Sequence, residues 1–185
     1  IQSFIEETGI PQCHVSLLQA LQNTALWTRL QREERLMDGM GTVYQGSIMN
    51  FRPTRPVEEI TEEYIETFWQ IYEPMPYLKR TYRHFIRMNG WRGRTQRKIT
   101  LKELRLFLTI CWRQGVLRST RFRFWRYLLA IAVQKPKLLF DYFGALGSGE
   151  HFFVFRHEVK AQLQAQIVAL KHEQKVEQNQ LLHLA

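Results

Sequence analysis

The chain has 185 residues, of which 45% are hydrophobic and 13% aromatic; this composition can supply a hydrophobic core and excludes a disordered chain. Lys and Arg together number 26, against 17 Asp and Glu, which gives a net charge of +9. The two cysteines lie about a hundred residues apart, which excludes a disulfide-rich secreted framework, a zinc knuckle and a Cys-x-x-Cys redox pair. The expected location is therefore the cytoplasm.

The N-terminal segment predicts one strand and one helix. Residues 13–18 are apolar and β-branched with few charges, as in a strand that is buried on both faces of a parallel sheet. Asn23-Thr24 then offers an N-cap for a helix that continues to Leu36, before Asp38 and Gly39 end it. Because one strand and one helix cannot form a sheet, the partners of the strand are expected upstream of the chain.

The next part of the chain predicts a connector followed by two helices. Glycines and prolines frame residues 42–55, which are expected to be irregular or briefly extended. Apolar residues at helical spacing predict an amphipathic helix over 56–71, and a second helix is expected over 76–88. Residues 91–98 then form a basic loop.

The last part of the chain predicts further helices. Thr100 and Glu103 have the Thr-x-x-Glu spacing of a capping box, which predicts a helix from there to Gly115. Further helices are expected over 121–134, 138–146 and 150–178, where three glycines between 144 and 149 predict a turn.

A series of short motifs spans residues 9–80. Gly-Ile-Pro at 9–11 precedes the predicted strand, Leu-Gln-Ala-Leu at 18–21 follows it, and Arg-Leu-x-x-Glu-x-Arg-Leu occupies 29–36. This order resembles the end of the radical S-adenosylmethionine barrel in cobalamin-binding members of that superfamily. Asn-Phe at 50–51, Glu-Glu-Ile at 58–60 and Ile-Tyr-Glu-Pro at 71–74 resemble the helical C-terminal domain of unknown function in hopanoid-methylase-like proteins. Gln-Asn-Thr at 22–24 departs from the Pro-Gly-Thr common in that family.

The resemblance implies a function for the protein to which the chain belongs. It would be a radical S-adenosylmethionine enzyme with a [4Fe–4S] cluster, S-adenosylmethionine and cobalamin, acting on an apolar or lipid-like substrate by radical methylation or rearrangement. In such barrels the end of the last strand approaches the adenine of the cofactor, which corresponds here to Leu18, Gln19 and Ala20. The implied partners are the upstream barrel and cobalamin-binding domains of the same protein.

The chain itself is expected to be non-catalytic and to hold no cofactor. The family binds its cluster through Cys-x-x-x-Cys-x-x-Cys, and this sequence has only Cys13 and Cys111. No His-Glu-x-x-His or comparable metal spacing occurs, and neighbouring glutamates in a helix diverge by about 100° per residue. We therefore assign no catalytic and no metal-binding residue.

The positive charge is concentrated in the middle of the chain. Residues 79–135 contain 16 basic residues and one acidic residue, a net charge of +15. Within this block, arginines interleave with aromatic residues, and several lie near the start of a predicted helix, where cations oppose the helix dipole. We therefore expect Arg121, Arg123 and Arg126 to face anions or acidic residues, and we assign them, together with Arg118, to the binding of an anionic surface.

Three interpretations of this basic aromatic segment remain open. The first is a helical-bundle core with its arginines on a solvated rim or paired with the acidic helix over 56–71. The second is contact with an anionic membrane surface, because the uncharged stretch 127–134 is far shorter than the roughly 20 residues needed to span a bilayer. The third is single-stranded nucleic acid, although no RNA-binding motif accompanies the segment.

Together these patterns predict a mainly α fold. Residues 1–39 would be the terminal β/α unit of a partial α/β barrel, and residues 40–185 a helical C-terminal domain that frays from about residue 173. The predicted location is cytoplasmic with peripheral membrane contact. The alternative function is a non-catalytic, basic helical module that binds membrane lipid or nucleic acid.

Overall fold

Helices form most of what the computed structural model describes, which is residues 1–37, 46–88 and 100–184. These residues contain no β-strand, and one isolated antiparallel bridge joins Leu36 to Phe51. The mainly α fold class is therefore confirmed. The α-helices are α1 (Gln2–Thr8), α2 (Ala25–Arg32), α3 (Val57–Ile71), α4 (Pro74–Arg87), α5 (Leu101–Trp112), α6 (Arg121–Gln134) and α7 (Leu139–Leu184).

In the structure, the predicted strand at 13–18 is a segment without regular secondary structure between α1 and α2. Its side chains alternate, as extended backbone requires: Leu17 is buried, whereas Ser16 and Leu18 are exposed. One face is thus open in this chain, in contrast to the two buried faces expected from the sequence. Pairing of this segment in a barrel remains a prediction.

Helix α2 begins where the sequence predicts but ends earlier. The Thr24 hydroxyl accepts a hydrogen bond from the backbone N–H of Trp27 at 3.2 Å, which confirms the N-cap. The helix ends at Arg32 rather than Leu36, because Glu34 adopts a left-handed conformation with φ of 53°. Leu36 is thereby released to form its bridge with Phe51.

The capping box at the start of α5 is present as predicted. The Thr100 hydroxyl accepts from the Glu103 N–H at 3.3 Å, and the Glu103 carboxylate accepts from the Thr100 N–H at 2.8 Å. The helix does not continue to Gly115, because a π-helical turn over Arg113–Leu117 follows Trp112. Gly115 in this turn lets the Trp125 ring pack against the backbone, since a Cβ there would lie 2.8 Å from that ring.

The predicted turn at 144–149 is wrong, because α7 passes without interruption through all three glycines. Gly147 and Gly149 allow close helix packing instead. A Cβ on Gly149 would lie 2.6 Å from the Tyr77 ring, and one on Gly147 would lie 3.3 Å from Ile110 Cδ1. A glycine that allows close helix contact and a glycine that ends a helix look the same in sequence.

The chain forms two compact units, each built from separate stretches. The first contains Ile1–Cys13 and Trp69–Phe155, and the second contains His14–Phe68 and Arg156–Ala185. The core of the first unit combines residues from α4, α5, α6 and α7 with Leu138 from the short 3₁₀ turn that precedes α7: Leu78, Phe85, Ile110, Phe124, Tyr127, Leu128, Ile131, Leu138, Tyr142, Phe143 and Leu146. In the second unit α7 buries the face predicted from its spacing: Val159, Leu163, Ile167 and Leu170.

Two of the sequence predictions fall on residues that the structure leaves undescribed. The domain boundary between residues 39 and 40 lies within 38–45, and the basic loop 91–98 lies within 89–99. The division into two domains at this boundary therefore remains a prediction. The fraying of the chain from residue 173 also remains a prediction.

Candidate functional site

The segment predicted to approach a cofactor is fixed by the side chain of Asn50. The Asn50 Oδ1 accepts from the Ala20 N–H at 2.8 Å, and its Nδ2 donates to the Ala20 carbonyl at 2.8 Å. Both polar groups of the Ala20 main chain are thus occupied, and Ala20 is buried. Sequence reasoning did not find Asn50 as a positioning residue, although it noted Asn50-Phe51 as part of a family motif.

Gln19 and Leu18 differ in what they can offer a ligand. The Gln19 side chain donates from Nε2 to the Ile48 carbonyl at 2.8 Å, so it holds the segment in place. Leu18 is 61% exposed and presents a branched hydrocarbon surface. Of the three residues assigned from the resemblance, Leu18 therefore has the side chain best placed to meet an external apolar or aromatic group.

Cys13, just before this segment, is held by a tyrosine. The Tyr72 hydroxyl donates to the Cys13 carbonyl at 2.5 Å and accepts from the Cys13 N–H at 3.3 Å. Burial raises the pKa of the Cys13 thiol and also that of the Tyr72 hydroxyl. A thiol kept protonated is a poor nucleophile and a poor metal ligand.

The first of the four predicted anion-binding arginines is paired within the first unit. The Arg118 guanidinium meets the buried Glu150 carboxylate through two hydrogen bonds of 3.0 and 3.1 Å, and it lies 4.7 Å from the Phe153 ring centroid. Arg113 approaches the same carboxylate at 3.8 Å. Arg118 thus faces an acidic residue of the same unit, whereas the sequence analysis assigned it to an anionic surface.

The other three arginines, Arg121, Arg123 and Arg126, are exposed on α6. The Arg121 guanidinium lies 5.0 Å from the ring centroid of the adjacent Phe122. The structure therefore separates the four residues into one partly buried ion pair and three surface cations. The aromatic residues between them also divide, because Phe124 and Tyr127 are buried whereas Phe122 is exposed.

An apolar groove lies between α5 and α7 in the first unit. It encloses about 220 Å³, larger than the engineered cavity of about 150 Å³ that holds benzene. The Phe107 and Phe143 rings meet inside it with centroids 4.2 Å apart. Its lining is almost entirely hydrocarbon: Glu103, Leu104, Leu106, Phe107, Ile110, Phe140, Phe143 and Gly144.

The single carboxylate of the groove is already engaged. Glu103 accepts from both the N–H and the hydroxyl of Thr100, at 2.8 and 2.9 Å, as part of the capping box. A polar ligand would lose its hydrogen bonds to water here and would gain few in return, whereas a hydrocarbon would not. The groove is thus suited to apolar ligands.

Sequence reasoning missed this groove. The pairing of α5 with α7 is long-range and cannot be derived from helical periodicity. Gly144 directly follows Phe143 in the lining, and a Cβ there would meet nothing within 4 Å. The glycine therefore leaves space at the groove.

The described residues do not fit a metal cluster. Among residues 1–37, 46–88 and 100–184, no group of three or more His, Cys, Asp or Glu side chains is arranged to hold a metal ion. In the same residues no helix is both long enough and apolar enough to cross a bilayer.

Comparison with known proteins places the chain in a family. The model of a domain of unknown function, DUF4070, matches residues 24–165. The chain belongs to the DUF4070 family. The matched residues include Asn50, the groove and all of α6, whereas residues 18–20 precede them.

Two relatives of this DUF4070 chain have names that concern methyl transfer. The chain is 40% identical over 98% of its length to an uncharacterized methyltransferase of Synechocystis sp., of which it spans 35%. It is 28% identical over 70% of its length to hopanoid C-2 methylase of Rhodopseudomonas palustris, and the match spans 25% of that protein. No solved structure matches the chain.

Proposed function

We propose that the chain is the C-terminal part of a radical S-adenosylmethionine methyltransferase that acts on an apolar, lipid-like substrate. The observation that carries this proposal is the apolar groove between α5 and α7, in a chain similar to a methyltransferase and to a hopanoid methylase. A hydrocarbon is the kind of ligand that such a lining accepts, because it leaves no hydrogen bond unsatisfied.

In this proposal the chemistry belongs to other parts of the protein. The described residues do not fit an iron–sulfur cluster, so the cluster, S-adenosylmethionine and cobalamin would be held upstream. When bound, these groups would supply the methyl group and the radical chemistry. The chain would contribute the Leu18 side chain to the adenine of S-adenosylmethionine, while Gln19 and Ala20 hold the segment in position.

The groove would hold one part of the substrate. Its volume of about 220 Å³ is below the 300 to 1,000 Å³ of typical ligand pockets, so it would receive a portion of a hydrocarbon skeleton rather than a whole polycyclic lipid. Burial of that portion would exclude water and restrict the orientation of the remainder of the substrate.

The experiment that tests the enzyme class uses the full-length protein. It is purified, reconstituted with iron, sulfide and cobalamin without oxygen and reduced with dithionite, then given S-adenosylmethionine labelled in its methyl group together with a hopane hydrocarbon. The expected result is a [4Fe–4S] signal in electron paramagnetic resonance, 5′-deoxyadenosine, and label in the lipid. A protein that binds no cluster and forms no 5′-deoxyadenosine would show that the proposed class is wrong.

A second candidate function is a non-catalytic module that binds membrane lipid or nucleic acid. The exposure of Arg121, Arg123 and Arg126 favours it, because surface cations attract phosphate. Its location would be cytoplasmic with peripheral membrane contact. The same reconstitution separates the two candidates, since a binding module would leave the labelled methyl group on S-adenosylmethionine.

A further inference from the structure

Helix α6 is apolar on two opposite sides. One side is buried in the core of the first unit and contains Phe124, Tyr127, Leu128 and Ile131. The other side is open to solvent and has large apolar residues at steps of three, four and four, which lie along one stripe of a helix. We call these four residues the outer stripe: Phe122 (76% exposed), Trp125 (40%), Leu129 (61%) and Val133 (80%).

Arginines of α6 flank the outer stripe, and α6 itself contains no acidic residue. At about 100° per residue, Arg121 and Arg123 lie on either side of Phe122, and Arg126 lies one turn along, beside the stripe. The sequence of α6 contains no Asp or Glu. Arg121 and Arg123 lie in the first turn of the helix, where cations oppose its dipole, so folding alone does not favour them there.

This combination discriminates among the surfaces that could cover α6. Nucleic acid would pair with the arginines and stack on Phe122, but Leu129 and Val133 have no aromatic face to offer a base. A second copy of the chain packed on the same stripe would bring two sets of arginines together without an acidic residue in α6 to pair them. An anionic bilayer satisfies both features, because acyl chains take the apolar side chains and headgroups take the guanidinium groups.

We propose that α6 binds the surface of an anionic lipid bilayer, with the outer stripe in the acyl boundary and Arg121, Arg123 and Arg126 at the headgroups. Arg118 takes no part, because Glu150 holds it. The inference does not rest on the enzymatic proposal, since α6 would bind lipid whether or not the protein transfers a methyl group.

The test measures sedimentation of the full chain with vesicles of phosphatidylcholine, with and without phosphatidylglycerol. Wild type is expected to bind the anionic vesicles better and to lose affinity as salt rises. Changing Arg121, Arg123 and Arg126 to Gln should weaken anionic binding on the order of a hundredfold, from about fivefold per arginine near the surface. The control changes Arg32, Lys171 and Lys175 to Gln, which lowers the net charge equally at exposed positions elsewhere and should have far less effect.

A second set of variants tests the apolar contact. Changing Phe122, Leu129 and Val133 to Ser should weaken binding to both kinds of vesicle by more than tenfold. Changing the exposed Val154 and Val168 to Ser should not. A fluorophore that reports polarity, attached at Val133→Cys, should shift to shorter wavelength on vesicles, whereas the same label at Val154→Cys should not.

Four results would overturn the proposal. One is an arginine variant that binds like its charge-matched control. Another is a label at Val133→Cys that reports water in the presence of vesicles. The third is tighter binding to a single-stranded oligonucleotide than to vesicles, and the fourth is a dimer that the serine variant dissociates, because each of these would assign α6 to a different partner.

Discussion

The ring of Tyr77 lies directly against the backbone of Gly149. A Cβ on Gly149 would come within 2.6 Å of Tyr77 Cε1, and the Tyr77 hydroxyl donates to the Ala145 carbonyl at 2.7 Å on the same helix. One tyrosine of α4 thus packs on α7 and bonds to it one turn away. This contact explains why a glycine occupies the interior of a long helix, where it otherwise costs about 1 kcal/mol relative to alanine.

Two alanine substitutions in α7 should therefore have opposite effects. Gly149→Ala should lower the free energy of unfolding by about 2 kcal/mol, since overpacking against Tyr77 outweighs the gain in helix propensity. Gly144→Ala should raise it by about 0.5 to 1 kcal/mol, because its Cβ meets open space. Urea unfolding of both variants measures this, and a stabilised Gly149→Ala would contradict the contact.

The Asn50 amide should stabilise the segment around Ala20. Asn50→Ala removes two hydrogen bonds and leaves the Ala20 main chain without these partners, so the free energy of unfolding should fall by about 2 kcal/mol. Asn179→Ala, at an exposed position in α7, is the control and should change it little. Equal stability of the two variants would show that Ala20 is held in some other way.

The ion pair between Arg118 and Glu150 should be energetically coupled. Glu150→Ala removes two charge-assisted hydrogen bonds at a buried carboxylate and should lower the free energy of unfolding by about 2 kcal/mol. A double-mutant cycle with Arg118→Ala should give a coupling energy of about 1 to 2 kcal/mol. If the two substitutions instead lower the free energy of unfolding additively, and Arg118→Ala weakens vesicle binding, Arg118 contacts the membrane rather than Glu150.

Tyr142 should destabilise the fold slightly at neutral pH and more at alkaline pH. Its hydroxyl is buried and has no hydrogen-bond partner within the described part of the chain, so Tyr142→Phe should stabilise the protein by about 1 kcal/mol. Burial raises the pKa of Tyr142. The Tyr142 hydroxyl therefore loses its proton at lower pH in the unfolded state than in the folded state.

It follows that stability should fall as pH rises through about 10, the ordinary pKa of tyrosine, toward the higher pKa of the folded state. Tyr142→Phe should reduce this alkaline loss. Denaturant unfolding at neutral pH and near pH 10.5 measures both effects. A destabilised Phe variant would indicate that the hydroxyl is satisfied, for example by a buried water.

The local features of the fold could be predicted from the sequence, whereas the packing could not. Two helix starts are marked by hydrogen bonds to backbone groups three residues away, at Thr24 and at the Thr100–Glu103 pair. The residues involved are therefore close together in sequence. The turn predicted at the glycines of α7 is wrong because the residues that pack on Gly149 and Gly147, which are Tyr77 and Ile110, lie far away along the chain.

The candidate site divides in the same way. The arginines at 118–126 could be recognised as a group from composition. Only the fold shows that Glu150, 32 residues along the chain from Arg118, pairs with Arg118 and so removes it from that group. The groove also depends on a long-range pairing, of α5 with α7. Asn50 gave no signal of its contact with Ala20, because an asparagine that holds a distant main chain looks like any other loop asparagine.

The central claim is that the groove between α5 and α7 receives part of an apolar substrate, and methyl transfer by the full-length protein tests it most directly. Gly144→Leu should fill the groove, because a side chain there enters open space. The measurement is the ratio of methylated hydrocarbon to 5′-deoxyadenosine, with Val154→Leu on the exposed surface of α7 as the control. We expect Gly144→Leu to lower this ratio at least tenfold while Val154→Leu leaves it unchanged, and an unchanged ratio in a folded, cluster-loaded Gly144→Leu protein would contradict the claim.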